Sequence, residues 1–101
     1  MNSRALVPQT IKVGPHTVRV LFSHEECNQP DYAVFGCFKI QDLEIVLDPQ
    51  QGDTMLLDTF MYEVIEAING IYGLELPHPT IQTLGVALSQ VLSSAEYGGD
   101  T

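Results

Sequence analysis

Asp58, Tyr62 and Glu66 recur every four residues, and Glu63 stands beside the middle one. On an α-helix that interval stacks side chains along one face, so a phenol and three carboxylates come to one patch. A patch of this kind can hold a cation, or it can be the solvated side of a surface helix with Tyr62 half packed. Glu66 is the better metal donor, because a phenol with an ordinary pKa of about 10 keeps its proton at neutral pH unless a metal displaces it. A catalytic zinc site needs three protein ligands, so a nitrogen has to come from elsewhere. Of His16, His24 and His78, only His78 follows shortly after this stretch.

The element that must carry these residues is DTMLLDTFMYEVIEAINGIYGLEL, residues 53 to 76. Leu57, Phe60, Met61, Val64, Ile65, Ile68 and Ile71 fall at three-and-four spacing, which predicts a helix with one stripe against a core. Asp53 is the expected N-cap and Gly70 and Gly73 the expected close.

MYEVIEAI, followed by GLEL and by IQTLGVALSQVL, resembles the C-terminal half of small phage-encoded zincin-like metallopeptidase proteins, over roughly residues 34 to 93. The resemblance implies a hairpin ending in Asp-Pro, a helix carrying HExxH or HExxE, then GLE and a last helix. Here Tyr62 stands at the first histidine and Glu66 at the second, while Glu63 keeps the general-base position. Two readings follow. In the first, a catalytically degenerate zincin-like scaffold without a cofactor binds a macromolecular partner through Asp58, Tyr62, Glu63 and Glu66. In its sharpest version it inhibits a host nucleic-acid-handling or defence complex. In the second, a metal-dependent hydrolase uses Glu63 as general base, with Glu66 and His78 as zinc ligands.

Charge favours the binding reading. The net charge is −9, and the four basic residues, Arg4, Lys12, Arg19 and Lys39, all precede residue 40, after which ten acids follow without a lysine or arginine. Such a half is a poor ligand for phosphate backbones and a good one for a basic protein surface. Solubility alone is the plainer account of the same charge.

The remainder supplies the scaffold. Residues 1–9 read as an arm, and TIKVGPHTVRVLF as a hairpin about Gly14-Pro15 with His16 exposed beside the turn. SHEECNQPDYA, residues 23–33, reads as a polar loop, and VFGCFKIQDLEIVLDP as a second hairpin ended by Asp48-Pro49. After Pro77, His78 or Thr80 leads into a second helix whose apolar stripe is Ile81, Leu84, Leu88, Val91 and Leu92. Gly85 within it points to close approach of another backbone. Residues 95–101 read as a flexible tail. The expected architecture is a single α+β domain, residues 1–101, with two β-hairpins forming a small antiparallel sheet packed on two α-helices. Leu57, Phe60, Val64, Ile68, Leu84, Leu88, Val20, Phe38 and Ile45 are expected in one core. Cys27 and Cys37 are expected as reduced, structural thiols. No signal peptide and no apolar run of membrane length is evident, so a soluble protein of the host-cell cytoplasm is expected.

Overall fold

The computed structural model describes residues 3–96. Strand β1 (Thr10–Val13) pairs antiparallel with β2 (His16–Phe22) across Gly14-Pro15, with Ile11 opposite Val18 and Val13 opposite His16. The segment expected as a loop instead folds as a four-residue helix, α1 (His24–Cys27), and a two-strand ribbon, β3 (Asn28–Gln29) with β4 (Tyr32–Ala33). Its start is capped, because the Ser23 hydroxyl accepts a hydrogen bond from the Glu26 amide at 3.2 Å. Ser-x-x-Glu is the spacing of a capping box, the signal the polar composition hid.

The second hairpin, β5 (Gly36–Lys39) and β6 (Glu44–Leu47), forms as expected. The way it joins the first does not. β6 runs parallel to β2, with Val20 opposite Ile45, giving a mixed sheet in the order β1-β2-β6-β5 rather than an all-antiparallel one. The detour through α1 and the ribbon returns the chain to the far edge, so the second hairpin can fold back and lay β6 beside β2. As an inner strand, β6 is covered on both faces, and Ile45, Val46 and Leu47 are fully buried.

Helix α2 (Asp53–Tyr72) crosses the sheet and puts Leu56, Leu57, Phe60 and Ala67 against Val18, Val20, Ile45 and Leu47. Val64, Ile68 and Phe38 pack on this cluster half-buried. The cap is Gly52, not Asp53. The Leu56 amide already bonds to the Gly52 carbonyl at 2.7 Å, which leaves Asp53 inside the first turn, 3.7 Å from Arg4. Gly73 ends the helix in the left-handed conformation at φ 63°, whereas Gly70 stays within it. The arm is ordered from Ser3, as a 3-10 turn whose Arg4 donates to the Pro49 carbonyl at 2.8 Å.

Helix α3 (His78–Ser94), with Pro77 as its cap, packs on α2. The face it buries is not the large apolar stripe. Ile81, Gly85 and Ser89 are buried, whereas Leu84 and Leu88 are 41% and 40% exposed. A Cβ built on Gly85 would stand 3.0 Å from the Cα and 3.1 Å from the amide nitrogen of Tyr62. At that separation no side chain of any size fits at position 85, and the face centred on Gly85 takes Ile81 and Ser89 inward with it. Of the expected tail, Ala95 and Glu96 follow the helix, and 97–101 lie outside the described residues. Among the described residues no helix is long and apolar enough to cross a membrane.

Three substitutions test this packing by denaturant unfolding at micromolar protein. Phe60→Ala should cost about 3–5 kcal/mol and Leu88→Ala no more than about 0.5 kcal/mol. Gly85→Ala should destabilise even though alanine is the better helix former by about 1 kcal/mol, because its methyl meets backbone. Equal losses from Phe60→Ala and Leu88→Ala would contradict the arrangement.

Candidate functional site

The three elements that meet over α2 leave a cleft of about 450 Å³ between the chain entering β5, the middle of α2 and the first half of α3. Phe35, Met55 and Val86 form an apolar rim, each about half exposed. Asp58, Tyr62 and Glu63 line it from α2 and His78 from α3. A second hollow continues past Tyr62 and Glu63 to Glu66, beneath Cys37 and Phe38.

The near wall is fixed by contacts that periodicity does not reveal. Gln51, buried in the connector before α2, donates from Nε2 to the carbonyls of Phe35 and Asp48, both at 2.9 Å. Its Oε1 accepts from the Thr59 hydroxyl at 2.7 Å, tying that wall to α2. Gly36 permits the approach, since a Cβ there would lie 2.7 Å from Thr59 Cγ2 and 3.0 Å from Leu47 Cδ2. A glycine at a strand start is the one sequence signal that could have marked this wall.

The four acid-and-phenol residues do share a face, yet they do not form an exposed one. Glu63 is only 5% exposed, and Asp58, Tyr62 and Glu66 are half-buried. Burial, and secondarily the charge of Glu66, pushes the Glu63 carboxyl up to about 7. Tyr62 is pushed up to about 12, chiefly by burial, then by the charge of and hydrogen bond to Glu66, then by Glu63. Its hydroxyl lies 2.8 Å from His78 Nε2, with the rings edge to face at 5.5 Å between centroids. The phenol keeps its proton and can donate to Glu66 while accepting from the imidazole.

Of the three histidines, His78 alone arrives at the cleft. His24 lies on α1, its Nδ1 3.0 Å from Asp48 Oδ1, and His16 is exposed at the first turn. Of the ligands that the hydrolase reading assigns, His78 lines the cleft and Glu66 the second hollow. The phenol raised to about 12 keeps its proton and is not a ready ligand, whereas Glu63 is the general base of that reading and not one of its ligands. Among the described residues no group of three histidine, cysteine, aspartate or glutamate side chains stands together as a metal cage. Cys27 and Cys37 are free, and burial pushes the Cys27 thiol up to about 11, so it is protonated and unreactive at neutral pH.

Comparison of the chain with protein-family models, with curated proteins and with solved structures gives no match in any of the three. The likeness to zincin-like phage proteins therefore rests on the motif residues themselves.

A glutamate whose folded-state pKa is raised binds its proton more tightly in the native state than in the unfolded chain. Its contribution to stability is full below about 4.5 and is lost as pH rises through about 7. Glu63→Gln should therefore melt higher than the parent at pH 8, by an amount bounded at about 3 kcal/mol, and the two should converge by pH 5. A constant difference across that range would mean Glu63 titrates as an exposed carboxylate.

Proposed function

We propose that this protein acts by binding, and that the cleft over α2 receives a lysine or arginine side chain presented by a partner protein. The carrying observation is the combination of an acidic floor, Asp58 and Glu63 with Glu66 beyond, and an apolar rim of Phe35, Met55 and Val86, with no lysine or arginine in the lining. Long basic side chains match that gradient: their methylene stems pack on apolar surface and their charged heads reach the carboxylates. The phage setting that the resemblance implies would make the partner a basic host protein, inhibited when the cleft engages it.

The probe is a short neutral-capped peptide with one arginine flanked by leucines, against the same peptide with citrulline, followed by amide and ring shifts of Tyr62, His78 and Phe35. Arginine should bind and citrulline should not. Asp58→Asn with Glu66→Gln should weaken binding at least about tenfold, equivalent to ~1.4 kcal/mol. Binding should also weaken as pH falls from 8 to 6, because protonation of Glu63 removes the charge at the floor. Equal binding of the two peptides would sink the proposal.

The hydrolase reading draws on one observation: a carboxyl near 7 in a cleft is poised as a general base. It requires metal. A melting temperature that moves less than a degree with zinc or chelator supports binding alone, since a native-state ligand stabilises by mass action. A rise of several degrees with zinc, abolished by Glu66→Gln, would establish the hydrolase instead.

A further inference from the structure

The cleft over α2 contains one carboxyl that the fold leaves without a donor. Glu63 is 5% exposed, and among the described residues no hydrogen bond or ion pair reaches its side chain. No fully buried side-chain oxygen among them lacks a partner, so the Glu63 oxygens open onto the hollows that this residue lines. Its polar neighbours are already engaged. The Thr59 hydroxyl donates to Gln51 Oε1 at 2.7 Å, and the Tyr62 hydroxyl is held between Glu66 and His78. Around them stand the Tyr62 ring, Phe35, Met55 and Val86.

The donors on a basic head decide which one suits this place. A guanidinium carries five N–H groups and a primary ammonium three, whereas a dimethylammonium carries one and a trimethylammonium none. Donors taken from water without an acceptor are costly, and the Glu63 carboxyl is the one that waits at depth to receive them. Asp58, half-buried, adds negative charge and keeps its own contact with water. N-methyl groups also pack on apolar surface, and the faces of aromatic rings attract the cation they surround. On the reading that the cleft takes a basic side chain from a partner protein, we infer that this side chain is a methylated lysine, dimethyllysine above all.

Each part of that side chain then has a counterpart. Its single N–H donates to Glu63, an acceptor for which no other donor competes. Its two methyls meet Phe35 and the Tyr62 ring, which an edge-to-face contact with His78, 5.5 Å between centroids, holds in place. The methylene stem crosses the half-exposed rim at Met55 and Val86. A trimethylammonium fits the rings but leaves Glu63 without a hydrogen bond, and an unmodified lysine brings more donors than the depth of the cleft receives.

The test is titration at pH 8 of the isotopically labelled full chain with one neutral-capped, leucine-flanked peptide whose central residue is lysine, dimethyllysine, trimethyllysine, arginine or the uncharged carbon isostere of trimethyllysine. Dimethyllysine should bind at least about fivefold tighter than lysine or arginine, with trimethyllysine between them and the isostere not binding. Phe35→Ala removes a half-exposed ring from outside the core, and should erase the preference for dimethyllysine while leaving the affinity for lysine within about twofold. Free dimethylbutylamine, the head without the peptide, should bind more weakly than the dimethyllysine peptide, and equal binding would make the ligand a small amine and overturn the inference. Lysine or arginine binding as tightly as dimethyllysine would overturn it while leaving the cleft a receptor for plain basic side chains. Binding by none of the peptides would overturn that reading and this one together, as would equal binding of the uncharged isostere.

Discussion

The close seat of Gly85 on the backbone of Tyr62 is the contact on which the arrangement of this molecule depends. Helices that approach this closely have no room for a side chain at position 85, so the face centred on Gly85, with Ile81 and Ser89 one turn to either side, becomes the inner face of α3. The rotation that follows has two effects. It carries His78, Gln82 and Val86 to the edge of the cleft, where the imidazole meets the Tyr62 hydroxyl. It also turns Leu84, Leu88 and Val91 outward, leaving an uncharged apolar flank on an otherwise acidic chain.

Glu63 is the chemical result of the layering. It sits on α2 beside Tyr62, which meets His78 of α3, and lines the hollow beneath β5 with only 5% of its surface exposed. A buried carboxylate without a cation is costly, and the group answers by holding its proton up to about 7. Asp48 shows the contrast within the same fold. It accepts from the Gln50 amide and sits beside His24, and these hydrogen bonds hold its carboxyl below the ordinary range. One carboxylate is stabilised as an anion by donors. The other is raised by burial and by the charge of Glu66.

The sequence carried the parts of the fold that periodicity encodes. The hairpin about Gly14-Pro15, the second hairpin, the core side of α2 and the close approach at Gly85 were all legible, because alternation, helical spacing and a lone glycine report them directly. The parallel junction of β2 and β6 was not, since pairing across a long connection leaves no local trace. The inner face of α3 was legible only in part: Ile81 of the expected stripe is buried, but the close approach at Gly85 turns the helix so that Leu84, Leu88 and Val91 face outward. At the site, the shared face of Asp58, Tyr62, Glu63 and Glu66 was legible from the four-residue interval. The burial of Glu63 was not, because it depends on Gly36, Gln51 and Thr59, which hold β5 against α2 through contacts distant in sequence.

The most direct test of this account is a nuclear Overhauser spectrum of dilute, isotopically labelled protein, read at Gly85 and at the two exposed leucines. The account predicts strong cross-peaks from the Gly85 α-protons to the Tyr62 amide and α-proton, and none from the Leu84 or Leu88 methyls to Leu57 or Phe60. Cross-peaks joining Leu84 and Leu88 to those core residues, with Gly85 silent toward Tyr62, would contradict it.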